Sequence, residues 1–220
     1  MEFLARVFDF FLHIDKHLLE VVTTYGTWTY AILFAIVFLE TGFVVTPFLP
    51  GDSLLFAAGA LAGAGALDVV WVMVLLTIAA ILGDSVNYAI GRAFGVRAFT
   101  EGSRFFKEEY LLRTQRFYEK HGGKTIVLAR FVPIVRTFAP FVAGVGRMRY
   151  VRFWAYNAAG GVLWVVSLTL LGYFFGTIPF VKENFTVAIL VIVLLSVVPV
   201  FVEMAKHRIQ RSRAAAGEQS

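Results

Sequence analysis

The stretch LARFVPIVRTFAPFVAGVG, residues 128–146, is almost wholly apolar, yet it carries Arg130 and Arg136, with Pro133 between them and Pro140 after them. Two permanent cations in a segment that otherwise reads as membrane need a reason. The prolines bear on it too, because each removes a helix hydrogen bond and disfavours a straight span. The segment from Lys124 to Gly146 is long enough to cross a bilayer. Broken at its prolines, it becomes two arms of roughly ten residues, each about 15 Å long, about half of a hydrocarbon core of about 30 Å.

Composition sets the class around this stretch. The chain has 220 residues, 59% of them hydrophobic and 16% charged, and a mean hydropathy of +0.75. A water-soluble domain of this size does not have that balance, so a polytopic all-α membrane protein is expected. Cysteine is absent, which excludes disulfides and thiolate metal sites, and His13, His17, His121 and His207 all lie outside the apolar stretches. No metal, cofactor or nucleic-acid partner is expected.

The N-terminus MEFLARVFDFFLHIDKHLLE is interrupted by charge and does not read as a secretory signal. Phe3, Leu4, Val7, Phe11, Ile14 and Leu18 recur at helical spacing, with Glu2, Arg6, Asp9, Asp15 and Lys16 elsewhere on the wheel. Residues 1–24 are therefore read as an interfacial amphipathic helix. Further apolar stretches run over 28–45, 53–66, 69–90, 124–146, 153–177 and 185–204.

Lys and Arg distribution gives the topology, since short cytoplasmic loops are enriched in both. None occurs between Lys16 and Arg92, and the loop 92–124 then holds eight. Arg147, Arg149 and Arg152 follow in the next short loop, and Lys206, Arg208, Arg211 and Arg213 in the tail. With both flanks of 125–146 cytoplasmic, that segment is expected to enter and leave from the same side as a re-entrant hairpin. Residues 153–177 then cross outward, 185–204 return, and the basic tail 205–220 places the C-terminus in the cytoplasm.

Working backward, 69–90 runs inward from the outer face. Residues 28–66, broken at TPFLPGD by Pro47, Pro50 and Gly51, form a first hairpin opening outward, with the N-terminal helix outside. The expected organisation is hairpin plus spanning helix, twice and in opposite orientation, followed by one extra helix. Inverted repeats of this kind are common in transporters, whose sites lie near the midplane at broken helices.

Each hairpin carries charge of one sign: Glu40 and Asp52 in the first, Arg130 and Arg136 in the second. Intramembrane charges pair, line a wet cavity, or act on an ion or substrate. Arginine's planar fork and permanent charge suit phosphate. Arg130 and Arg136 are thus candidate phosphate ligands, and Glu40 and Asp52 candidate proton-coupling or gating groups that compete for the arginines. Salt bridges that merely hold the hairpins together are the plain structural alternative.

These motifs, FLETGFVVTPFLPGDSLLFAAGALA, GDSVNYAIGRAFG and FYEKHGGKTIVLARFVPIVRTFAPFVAGVGRM, resemble those of the bacterial DedA family, which is related to VTT-domain lipid scramblases, over roughly residues 25–180. The resemblance implies two facing re-entrant hairpins, a bacterial inner-membrane location, and roles in membrane homeostasis and proton-dependent drug tolerance. It implies undecaprenyl phosphate or a phospholipid as cargo, and its required acidic and basic residues match Glu40, Asp52, Arg130 and Arg136.

Secondary candidates are Asp84, Asn87, Tyr88 and Asn157, with Trp164 on the same spanning helix as Asn157. Asp84 either extends the acidic set or caps against Arg92. Gly83, Asn87, Gly91 and Gly95 form a stripe of small or polar residues suited to close helix packing. Gly122–Gly123 and Gly144–Gly146 flank the second hairpin and permit tight turns. A lipid phosphatase is disfavoured, because no histidine lies at membrane depth and no nucleophile sits beside a base in the hairpins. The protein is expected not to be an enzyme. A proton-dependent small-ion or drug antiporter, or a general phospholipid scramblase, remains the competing reading, and a homo-oligomer is left open.

Overall fold

The structure, a computed structural model, describes residues 14–43, 51–94, 122–176 and 178; all secondary structure among them is helical. The expected C-terminal helix 185–204, most of the loop 92–124, the first thirteen residues, and Pro47 and Pro50 lie outside the described residues.

Helix α1 (Ile14–Tyr25) leads into α2 (Trp28–Gly42), and α3 (Gly51–Gly63) precedes the long α4 (Val69–Phe94). A 3-10 turn at Gly122–Lys124 opens α5 (Thr125–Ala129), followed by α6 (Pro133–Val145) and the long α7 (Tyr150–Phe175). Asp68 starts α4 by accepting from the backbone N–H groups of Val70 (2.9 Å) and Trp71 (3.0 Å), satisfying donors that the first turn leaves free.

Only α4 and α7 are long and apolar enough, among the described residues, to cross a membrane: Val69–Ala93 with mean hydropathy 2.3, and Tyr150–Phe175 with 1.8. At 1.5 Å per residue each reaches nearly 40 Å, beyond a hydrocarbon core of about 30 Å. Helices α2, α3 and α6, of 15, 13 and 13 residues, fall well short. This is an all-helical membrane protein with two broken helix pairs, α2–α3 and α5–α6, each followed by a long helix.

The second break does not fall where the prolines alone suggest. Pro133 opens α6 at its first turn, where a missing N–H is harmless. The chain turns just before it, through Arg130–Val132. Pro140 was expected to break the segment; instead it lies inside α6. Its missing N–H leaves the Arg136 carbonyl without its usual partner, while the neighbouring Thr137 carbonyl is held by the Asn87 side chain at 3.0 Å. Support from a neighbouring helix lets the helix run on.

The two halves are packed crosswise. Helix α3 lies on α7 and α6 on α4, while α2 packs on α4 and α5 on α7. Both long crossings use the same device. A Cβ placed on Gly59 would lie 2.1 Å from the Thr169 carbonyl oxygen, and one on Gly172 would lie 2.0 Å from that of Phe56. At the other crossing, a Cβ on Gly91 would lie 2.1 Å from the Phe141 carbonyl, and one on Gly144 would lie 2.1 Å from that of Tyr88. The short helices present FAAG (56–59) and FVAG (141–144) at these contacts. Backbones meet backbones there, as at small-residue crossings in membranes generally.

The main core joins Leu33 and Val37 of α2, Leu54 and Leu55 of α3, Leu76 of α4, and Trp164 and Val165 of α7. Helix α3 is buried on nearly every side, which its alanine-rich sequence permits. A second cluster gathers Tyr88, Ile126, Ala143 and Phe153. Gly144 lies inside α6 and Gly146, which caps it, has φ −73°; Arg147, at φ 51°, holds the left-handed position, while Gly122 does so ahead of α5 at φ 59°.

Charge divides the ends of the bundle. Arg92, Lys124, Arg147, Arg149 and Arg152 are all exposed around the end of α4 and the α6–α7 connection. At the opposite end, where α4 begins, Asp68 is exposed and donates its N–H to the Tyr30 hydroxyl at 2.8 Å.

Candidate functional site

Breaking α2–α3 puts two carboxylates at one place. Glu40 lies in the last turn of α2, and Asp52 lies in the first turn of α3. Glu40 Oε1 accepts from the Gly51 N–H at 3.3 Å, so it sits at the positive end of α3, which favours an anion there. A Cβ at position 51 would lie 2.0 Å from Glu40 Oε2, so a larger residue there would have to displace the Glu40 carboxylate. Gly51 thus leaves room for the carboxylate as well as marking the break.

Arg136 reaches across from α6 and takes both acids, Nη2 to Glu40 Oε1 and Nη1 to Asp52 Oδ1, each at 2.7 Å. This is the fork geometry that makes arginine pairs directional, here split between two carboxylates. Glu40 is 3% exposed by side chain, whereas Arg136 and Asp52 are 15% and 19% exposed, so this pair is open on the Asp52 side.

Arg130 goes elsewhere. Its Nη2 donates to Asp84 Oδ2 of α4 at 2.5 Å and to Asn157 Oδ1 of α7 at 2.6 Å. Asn157 in turn donates to the Ile81 carbonyl at 3.0 Å, tying the two long helices together beneath the arginine. Asp84 therefore extends the acidic set through Arg130 rather than capping against Arg92. Gly160 makes room for the Arg130 side chain, since a Cβ there would lie 3.2 Å from its Cδ.

Trp164 joins the two arginine sites. Both guanidinium carbons lie near its ring, Arg130 at 5.7 Å and Arg136 at 5.4 Å from the centroid. Such placements are attractive because the ring face is electron-rich. The indole N–H donates to Asp52 Oδ1 at 2.8 Å, so Arg136 and Trp164 share one carboxylate oxygen. A small cavity lies among Glu40, Thr41, Asp84, Arg130, Arg136, Thr137 and Trp164.

Asn87 sits beside this cluster and is fully buried. Its Nδ2 donates to the carbonyls of Thr41 at 3.3 Å and Thr137 at 3.0 Å. Tyr88, grouped with these residues by sequence, belongs to the second apolar cluster instead. It stacks on Phe153 with ring centroids 4.5 Å apart, and its hydroxyl donates to the Met148 carbonyl. One residue further along a helix turns the side chain by about 100°, enough to take it off the polar face.

The arrangement holds three carboxylates, Glu40, Asp52 and Asp84, against two guanidiniums. Glu40 Oε2 and Arg130 Nε are buried and have no hydrogen-bond partner among the described residues. Among those residues no cluster of acids and histidines could hold a metal ion. Chemically, such a cluster can exchange one anion for another on arginine, and it can carry protons on its acids.

A VTT domain model matches residues 49–174. Protein DedA of Escherichia coli (strain K12) is 57% identical over 218 residues, 98% of this chain and 100% of that protein. An uncharacterized membrane protein of Mycobacterium tuberculosis is 48% identical over 181 residues, 81% of this chain and 78% of the relative. Inner membrane protein YqjA of Escherichia coli (strain K12) is 40% identical over 151 residues, 68% of this chain and 69% of the relative. No solved structure matches. This chain belongs to the DedA family of VTT-domain membrane proteins.

Proposed function

We propose that this protein is a membrane transporter that moves a lipid phosphate across the bacterial inner membrane, with undecaprenyl phosphate the favoured cargo and carrier-lipid recycling the purpose. The observation that carries the reading is Arg136, held by Glu40 and Asp52 of the other broken pair beside a cavity between membrane helices. A guanidinium bridging two carboxylates already has the geometry of a phosphate site with the phosphate replaced by side chains.

In this reading α2–α3 and α5–α6 are re-entrant hairpins, and the two halves form an inverted repeat. The crosswise packing and the matching glycine crossings support it. The exposed basic end of the bundle faces the cytoplasm, as positive-inside placement favours, and the C-terminus lies on that side.

Proton coupling follows from competition. Protonating Glu40 or Asp52 weakens its hold on Arg136, which then takes the lipid phosphate; losing the proton restores the carboxylate and displaces the cargo. Arg130 stays with Asp84 and Asn157 and supplies positive potential from behind, while Trp164 orients Asp52.

The surplus of one carboxylate over arginine favours a second reading, a proton-dependent small-ion or drug antiporter in which the acids carry the exchanged cation. Native mass spectrometry of the purified protein with undecaprenyl phosphate and with phosphatidylglycerol separates them. The carrier reading expects an undecaprenyl phosphate adduct that survives in wild type and is lost in Arg136→Lys. Equal retention of both lipids in both proteins would overturn it.

A further inference from the structure

From the two hydrogen bonds of Asn87 we infer that this residue is the latch that keeps the two broken helix pairs closed over the charge cluster. The inference rests on the proposed reading in one respect, that the pairs part during transport. Asn87 Nδ2 has two protons and spends both across the gap, one on Thr41 of α2 and one on Thr137 of α6. Thr41 follows Glu40 and Thr137 follows Arg136, so each acceptor carbonyl adjoins one member of the bridging ion pair. A single amide thus fixes the two backbones from which that pair projects. Oxygen cannot donate to a carbonyl, so these partners also fix the amide's orientation.

The helix around Asn87 is shaped for the task. One turn before it, a Cβ on Gly83 would lie 1.9 Å from Thr41 Oγ1 and 2.8 Å from the Phe38 carbonyl, so α2 touches α4 there. One turn after it, Gly91 lets the α6 backbone touch α4 in the same way. Asn87 stands between these two contacts, where α2 and α6 come together on one face of α4. Its Oδ1 is buried without a hydrogen-bond partner among the described residues. Burying an acceptor unpaired costs about 1–3 kcal/mol. An apolar residue of that size would avoid the cost, so what the amide contributes at this position is its two donors. Separating α2 from α6 must break at least one of these bonds, and doing so moves Glu40 and Arg136 apart.

The test uses the full chain, which has no cysteine of its own. Thr137→Cys places one thiol in the cavity wall, where the native residue is 6% exposed. Iodoacetamide, small and uncharged, then reports opening through its labelling rate in protein reconstituted into nanodiscs. In this background Asn87→Leu keeps most of the volume and has no donor, while Asn87→Ser loses volume and keeps one donor. The latch predicts a labelling rate about tenfold or more above the parent for Asn87→Leu, with Asn87→Ser between them. A packing role predicts the reverse order, and finding it overturns the latch. If Asn87→Leu does not fold, Asn87→Ala against Asn87→Ser, similar in volume and differing in one hydroxyl, decides the matter: faster labelling of Asn87→Ala supports the latch, and equal rates overturn it. No lipid cargo enters the assay. A failure to transport undecaprenyl phosphate would leave a positive result standing, and equal rates would remove the latch while leaving the carrier reading intact.

Discussion

Arg136 and Glu40, 96 positions apart, meet at 2.7 Å between Nη2 and Oε1, and the other nitrogen of the same guanidinium meets Asp52. One side chain thus closes the two halves of the molecule upon each other. The pair is buried on the Glu40 side and partly open on the Asp52 side, so Arg136 is accessible without unpacking Glu40.

Arg136→Lys keeps the charge and loses the fork, so lysine reaches one carboxylate at a time. Transport is expected to fall at least tenfold while the protein still folds. Arg136→Ala leaves two carboxylates without their cation, and removing one partner of a buried pair costs about 3–5 kcal/mol. Thermal unfolding in detergent should rank wild type above Arg136→Lys, and Arg136→Ala lowest. Equal melting temperatures for the two variants would contradict the bridging role.

Glu40→Gln and Asp52→Asn each remove an exchangeable proton without changing shape. Wild-type transport is expected to respond to a pH gradient, and each variant to lose that response, measured as initial rate against pH in proteoliposomes. Both variants behaving like wild type in rate and in pH dependence would remove the acids from the coupling mechanism.

Trp164→Phe keeps a ring beside the two guanidiniums and loses the N–H that orients Asp52. The loss of one hydrogen bond, about 1 kcal/mol, predicts a small drop in stability and a larger drop in transport. Trp164→Ala opens a cavity in the main core and should cost about 3–5 kcal/mol. Chemical denaturation that places the two variants together would show that only the ring volume matters.

The glycine crossings give a stability test with an internal control. A Cβ at Gly59 or Gly144 would lie 2.1 Å from a carbonyl of another helix, whereas at Gly146 its nearest neighbour would be 3.3 Å away. Gly59→Ala and Gly144→Ala should each destabilise by about 1–3 kcal/mol or more, as overpacking does. Gly146→Ala should be close to neutral, and thermal unfolding distinguishes the three.

The charged residues were legible in the sequence because an ion in an apolar segment stands out against its neighbours: Glu40, Asp52, Arg130 and Arg136 all lie in the cluster. Their partnerships were not. Arg130 and Arg136 differ in which helices surround them, and nothing in their local sequence sends one to Asp84 and Asn157 and the other to Glu40 and Asp52. Asn87 could be read as a packing position on a small-residue stripe, but its bonds to two separate helices depend on the tertiary arrangement. Pro140 misled because a proline's effect depends on whether a neighbouring helix supports the carbonyls around it. The recurrence of FAAG and FVAG was present in the chain throughout; four-residue apolar strings carry little information until both are seen against glycines of the long helices.

The most direct test of the central claim uses proteoliposomes containing a headgroup-accessible undecaprenyl phosphate probe, comparing its transbilayer movement in wild type, Arg130→Lys and Arg136→Lys, with and without a pH gradient. Gradient-enhanced movement is expected in wild type, its loss in Arg136→Lys, and a smaller reduction in Arg130→Lys, which keeps the positive charge and loses the fork that holds both Asp84 and Asn157. No movement in wild type, with ion or drug flux in its place, would contradict the central claim and favour the antiporter.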